Sequence, residues 1–238
     1  MKRYGVFDIV GPVMVGPSSS HTAGAARLGR MVRYLCNDEI AQVTFQLHGS
    51  FAQTYKGHGT DKALLAGILD IDSADYRLRD SLDIAREKGL RFQFLTADLG
   101  DVHPNTVRFL LTMKSGRNMS VTGSSIGGGS VVITDIDGVE VYFSGEKPIL
   151  VTKHTDTPGV ISHITALLYQ SRLNIGNMRV NRDEESGEAS MYLELDGPVD
   201  DGLLGQIRAI PGITRALLLD NRLLDPGEAA LGREVAHV

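Results

Sequence analysis

One cysteine, Cys36, is all the chain has, and that scarcity excludes two things. No disulfide can form within the chain, and one thiolate cannot by itself hold a metal cluster, so any such cluster has to come from elsewhere. Positive charge is also short: 24 Lys and Arg against 29 Asp and Glu leave a net charge of -5, which disfavours nucleic acid as the main partner. No window approaches the roughly 18 apolar residues of a membrane span. The opening "MKRYGVFDIVGPVMVG" is broken by Asp8 and Pro12, too soon for a signal peptide. A chain free of membrane contact and resident in the cytoplasm is the expectation. Walker and dinucleotide-binding signatures are missing too, which disfavours ATP and NAD.

What is present is an ordinary globular composition over 238 residues, 42% hydrophobic and 22% charged, enough for one large or two modest domains. Ala25, Leu28, Met31, Val32 and Leu35 recur at the three and four spacing of an amphipathic helix over 22–36. "AQVTFQLHGS" alternates as a strand does, and helices are expected through "TDKALLAGIL" and "DYRLRDSLDIAREKG", the latter closed by Gly89. After residue 90 come five short β-rich runs with turns between them, one a hairpin centred on Asp137-Gly138. The simplest architecture is α+β, an antiparallel sheet with helices on one face over 1–146. Beyond "SGEKP", a β-α-β-β-α-β order in about 70 residues is the ferredoxin-like arrangement, here over 147–222. The remaining 223–238 read as a mildly polar tail, expected to be mobile.

"GPSSSHTAG" carries the densest chemistry. Ser18, Ser19 and Ser20 stand where a helix N-cap belongs, which explains one hydroxyl, while three suggest a seat for a carboxylate or phosphate on free backbone N–H groups. A Ser20 nucleophile with His21 as its base is a third reading, disfavoured because sequence neighbours rarely meet in those roles. In "YKGHGTDKA", Gly57 and Gly59 let a ligand approach His58, and Thr60 or Asp61 can cap the next helix; the bland alternative is a loop with a surface histidine. "GDVHPNT" around His103 and Asn105 is explained by a plain turn, and the glycines of "GSSIGGGS" by a bulge or by close approach of a ligand. "HTDTPGV" offers Asp156 as a cap and Gly159 for close approach, so that turn is either structural or holds a small amino acid. Cys36 reads as core. No metal site is expected on this chain, although His21, His58 and His103 could converge in space.

Taken together, "GPSSSHT", "YKGHGTDKA", "HPN" and "SIGGG" followed by a ferredoxin-like module resemble the beta chain of the iron-sulfur-dependent bacterial L-serine dehydratases (L-serine ammonia-lyases), over about residues 3–220. The first part is also similar to the allosteric substrate-binding domain of some phosphoglycerate dehydrogenases, and 149–220 to an ACT domain. The resemblance implies a lyase that converts L-serine to pyruvate and ammonia only with a separate alpha chain, which carries a [4Fe-4S] cluster acting as Lewis acid on the substrate hydroxyl. It implies His21 or His58 as the base, with Asp61 orienting His58. It places the substrate on Ser18, Ser19, Ser20, Thr22, Gly59, His103 and Asn105. It implies self-association through the ACT domain, with an amino-acid effector near Asp156, Gly159, Asn174 and Ile175. Two rivals stand beside it: a purely regulatory amino-acid-sensing subunit, and a self-sufficient hydrolase using Ser20 and His21.

Overall fold

A computed structural model of the protein describes residues 14–219. The expected tail at 223–238 lies outside the described residues. The chain divides into two compact units between Ser144 and Gly145.

The first unit is built on a six-stranded sheet in the order β2-β1-β3-β4-β5-β6. Its strands are β1 (Ile40–Leu47), β2 (Arg91–Thr96), β3 (Thr106–Met113), β4 (Asn118–Gly127), β5 (Ser130–Ile136) and β6 (Val139–Phe143). Val43, Phe45 and Leu47 of β1 lie opposite Leu111, Phe109 and Val107 of β3, so alternate residues make one buried face. The sheet is antiparallel except at one edge, where β1 and β2 pair in parallel. The helices between these two strands return the chain to the same end of the sheet, which a parallel pair requires. Asp137 and Gly138, both left-handed at φ 52° and 81°, make the expected two-residue turn between β5 and β6.

A π-helical turn, Ser19–Ala23, runs into α1 (Gly24–Cys36), which ends at Asn37 in left-handed conformation. Then follow α2 (Gly49–His58), α3 (Thr60–Ile68), a 3-10 turn at Tyr76–Asp80 and α4 (Ser81–Glu87). The helix expected over 75–89 is thus broken in two: the Asp75 side chain caps the 3-10 turn by accepting from Arg77 N–H, and Asp80 (φ -105°, ψ 9°) leaves the helical region before α4. Gly49 and Ser50, expected at the end of the strand run, begin α2, whose last residues, 55–58, replace the loop that was the plain alternative there; β1 stops at Leu47. That helix has one buried side chain, Phe51, so it carries no apolar stripe to announce it.

Helices α1 and α3 pack backbone to backbone. A Cβ on Gly67 would lie 2.1 Å from the Ala26 carbonyl oxygen, and one on Gly29 would lie 2.4 Å from that of Leu64. Only glycine at both positions allows this approach. The buried Arg30 guanidinium then bonds Asp70 at 3.2 Å and Asp72 at 2.7 Å, tying α1 to the loop after α3. Cys36 is buried at the end of α1, as expected of a core residue.

The second unit has the order β7 (Ile149–Thr155), α5 (Val160–Gln170), β8 (Ile175–Asp183), β9 (Glu188–Leu195), α6 (Asp201–Arg208) and β10 (Ile213–Leu219). Its four strands pair antiparallel as β10-β7-β9-β8, the ferredoxin-like arrangement expected from the sequence. Leu150, Met191, Leu193 and Leu195 meet Ile164, Leu168, Leu203 and Ile207 in its core. No helix among the described residues is long and apolar enough to cross a membrane.

Candidate active site

The π-helical turn sets the site's geometry. Ser18 is extended (φ -140°, ψ 123°), and its hydroxyl accepts from the His21 backbone N–H at 3.2 Å, so one serine does cap the helix. The first-turn N–H groups of Ser19 and Ser20 have no acceptor within the helix, and the positive end of its dipole lies there. The wide turn also brings sequence neighbours together: Ser20 Oγ and His21 Nδ1 share a hydrogen bond of 3.0 Å, contrary to the expectation that they would not meet. Ser18 Oγ lies 3.4 Å from both Ser20 Oγ and His21 Nδ1. A Cβ on Gly24 would lie 2.1 Å from the buried Ser125 hydroxyl oxygen, so glycine is needed where the turn meets β4.

Helix α2 supplies the opposite wall. Ser50 Oγ and His21 Nε2 share a hydrogen bond of 3.1 Å, and the buried Phe51 ring stands edge-on to the His21 ring at 5.2 Å. His58, the last residue of α2, has its ring centre 5.0 Å from that of His21. It is half-buried rather than on a surface loop, and its Nδ1 is buried without a hydrogen-bond partner. Gly59 ends α2 in left-handed conformation (φ 69°) with open space around its Cα. Burial, and then the neighbouring His58, hold His21 below the ordinary imidazole value of 6.5, so it is neutral at physiological pH.

One expectation about an individual side chain fails here. Asp61 does not orient His58: its Oδ1 accepts from Lys62 N–H at 2.8 Å, at the start of a different helix, and burial pushes its carboxyl up. The buried Thr22 hydroxyl donates to the His58 carbonyl oxygen at 3.4 Å and so joins the π-helical turn to the end of α2. Thr60 Oγ1 and Ser125 Oγ are buried with no partner.

The His-Pro-Asn turn holds α2 from below. A Cβ on Gly49 (φ 53°) would lie 2.7 Å from the Pro104 carbonyl oxygen, which also accepts from Phe51 N–H at 3.4 Å. His103 Nδ1 accepts from Asn105 N–H at 3.1 Å, and Asn105 Nδ2 donates to the Ser125 carbonyl oxygen at 3.4 Å. His103 is exposed on this turn, and among the described residues no three His, Cys, Asp or Glu side chains gather as a metal site. Gly127, Gly128 and Gly129, all at positive φ, turn β4 into β5.

In the second unit, Asp156 does not cap α5; Gly159 (φ 99°) occupies that position, and Asp156 accepts from Arg182 Nε at 2.7 Å. Asn174 Nδ2 donates to Asp196 at 2.7 Å. Register puts Ile175 opposite Leu195 and Asp183 opposite Glu188, next to Thr155. Asn174 and Ile175 therefore lie at the opposite end of β8 from Asp156 and Gly159, about 25 Å away at the rise of a strand.

Ser50, Phe51 and Ser125 complete the site but were not singled out in the sequence. The signal for the first two is "HGSF" directly after a strand; Ser125 stands in a run read for its glycines.

A serine- and histidine-lined helix mouth on a helix-covered sheet, joined to a βαββαβ unit, defines a two-unit class that comparison with known proteins identifies. Residues 5–87 match the family model of the serine dehydratase beta chain, and residues 149–212 that of the ACT domain. The chain is 43% identical over 213 residues to the probable L-serine dehydratase beta chain of Bacillus subtilis (strain 168), covering 90% of this chain and 96% of that one. It is 39% identical over 217 residues to the L-serine dehydratase beta chain of Peptoniphilus asaccharolyticus, covering 91% and 98%. It is 31% identical over 199 residues to a D-3-phosphoglycerate dehydrogenase of Synechocystis, covering 81% of this chain and 35% of that enzyme. The chain belongs to the serine dehydratase beta-chain family.

Proposed function

We propose that the chain is the beta subunit of an L-serine dehydratase, a lyase that releases pyruvate and ammonia from L-serine together with an alpha chain, in the cytoplasm. The carrying observation is the pair of histidines at 5.0 Å beside an open helix mouth, within the residues that match the family. The reaction needs a hold on the substrate carboxylate and a base for the α-proton. The Ser18 and Ser20 hydroxyls, with the first-turn N–H groups and the positive end of the helix, supply the first. For the second, both ring nitrogens of His21 are already hydrogen-bonded, whereas the half-buried His58 ring makes no hydrogen bond among the described residues, so His58 is the base. Open space beside Gly57 and Gly59 leaves room for substrate or the partner chain to come against α2.

This chain's own residues do not fit a [4Fe-4S] cluster: its one cysteine is buried in α1, and no metal-ligating group of three exists among the described residues. Such a cluster belongs to the alpha chain, and the departure of the hydroxyl is the partner's share of the chemistry.

For the ACT domain we propose pairing of two copies along β8, an edge strand that leaves Met178 (46%) and Val180 (38%) exposed. Antiparallel pairing brings Asn174 and Ile175 of one copy toward Asp156 and Gly159 of the other, so an amino-acid effector would sit between copies.

Serine-dependent pyruvate release, measured for this chain, for its anaerobically prepared alpha chain and for the two mixed, tests the reading. Activity is expected only in the mixture, and His58→Ala is expected to lower kcat roughly 10²-fold or more. Full activity from the alpha chain alone would make this chain a regulator, and unchanged kcat would remove His58 from the role of base.

A further inference from the structure

We propose that Ser50 is a positioning residue of the serine site, gripping His21 from the side opposite Ser20 so that the imidazole is held in one orientation. This rests on the reading above for its catalytic consequence, but not for the grip itself.

A serine in the first turn of a helix ordinarily bonds the local backbone, as a cap or by folding back on a preceding carbonyl. Ser50 does neither. Helix α2 has no side-chain cap, and the one hydrogen bond of the Ser50 hydroxyl among the described residues runs 29 positions back along the chain, to His21 Nε2 at 3.1 Å. The Ser50 backbone carbonyl accepts from Thr54 Oγ1 at 2.8 Å, one turn further along α2.

The placement of that hydroxyl is built in from three directions. Gly49 at φ 53° lies against Pro104, closer than any side chain would allow, and His48 N–H donates to the Thr106 carbonyl oxygen at 3.0 Å. Phe51, fully buried, wedges its ring edge-on against His21. The start of α2 therefore cannot slide along or away from the π-helical turn without losing these contacts.

The consequence lies in how a neutral imidazole bonds. One ring nitrogen donates and the other accepts, and a hydroxyl can take either part, so both tautomers can bond to a serine on each side and what the pair fixes is the orientation of the ring. Ser20 at 3.0 Å and Ser50 at 3.1 Å form such a pair. His21 is thereby held as a hydrogen-bonding group between two hydroxyls, while the ring of His58, 5.0 Å away, is not bonded in this way. Remove Ser50 and the ring is held by one nitrogen only, free to turn about its Cβ–Cγ bond.

The test has two arms. In the full-length chain alone, nitrogen-15 and proton correlation spectra of the His21 imidazole report the order of the ring. Wild type is expected to show one sharp set of ring signals, and Ser50→Ala shifted or exchange-broadened ones, with Ser50→Thr, which keeps the hydroxyl, restoring the wild-type pattern. In the mixture with the alpha chain, Ser50→Ala is expected to lower kcat about 10-fold or more with a smaller change in KM, again with rescue by Ser50→Thr. A His21 spectrum unchanged by Ser50→Ala overturns the grip. Unchanged kcat with an altered spectrum overturns the positioning role in catalysis. If the wild-type mixture releases no pyruvate, the functional reading falls, while the spectra still decide the grip.

Discussion

Replacing Gly67 with alanine should weaken the first unit and its site together. The new Cβ would lie 2.1 Å from the Ala26 carbonyl oxygen and 2.7 Å from both Arg30 N and Gly29 Cα, all backbone atoms of α1 that no rotamer change can move. Ordinary contact begins near 3.4 Å, so the two helices must separate by about 1 Å. Overpacking of this kind costs about 1–3 kcal/mol, against about 0.5–1 kcal/mol gained from alanine's better helix propensity. Net destabilisation of up to about 2.5 kcal/mol should lower the melting temperature of the first unit by several degrees, at roughly 2–4 °C per kcal/mol. The catalytic effect should be larger in proportion, because α1 continues the turn that carries His21 and α3 begins just after His58. A shift near 1 Å between reacting groups costs on the order of 10²-fold in rate. Gly57→Ala is the control: its Cβ meets nothing within 4 Å and its φ is not positive, so it should gain about 0.5–1 kcal/mol. Differential scanning calorimetry beside pyruvate release reads both variants. A Gly67→Ala chain that melts at or above wild type would refute the argument from close helix contact.

Other outcomes follow from single sites. His154 is 2% exposed and its Nδ1 has no partner; burial holds it below 6.5, with Asp156 acting against that shift. The unfolded chain then takes up this proton more readily than the folded one, so the ACT unit should be most stable above pH 6.5 and lose stability as pH falls below it. His154→Gln should flatten that slope in melting curves between pH 7.5 and 5.5; an equal slope in the variant would assign it to other groups. Val180→Glu puts a carboxylate on the open edge of β8 and should dissociate copies paired there, as read by sedimentation; an unchanged mass would place the pairing elsewhere.

Much of the fold was legible because its signals are local and repeated. The apolar spacing of α1, the alternation in β1 and β3, the Asp-Gly turn and the βαββαβ order each depend on residues close in sequence. Helix α2 escaped because a helix touching the core through Phe51 alone leaves no periodic trace. The parallel edge pair escaped because a strand's period does not state its neighbour's direction. At the site, His21, His58 and the capping Ser18 could be named from motifs, while the link from Asp61 to His58 was an inference from closeness in sequence that the change of helix at Gly59 breaks.

By itself the sequence determined composition, charge, the local elements and the presence of two histidines beside a row of hydroxyls. It also determined, through its one cysteine, that no cluster-binding set of thiolates is here. Only the tertiary structure decided which of these groups touch. The approach of α1 and α3 through Gly29 and Gly67, and the anchoring of α2 on the His-Pro-Asn turn, bring together His21 with Ser50 and His58, 29 and 37 positions apart. Hydrogen bonds and ring contacts act over a few ångströms in space, and separation along the chain does not encode that distance until the backbone has folded.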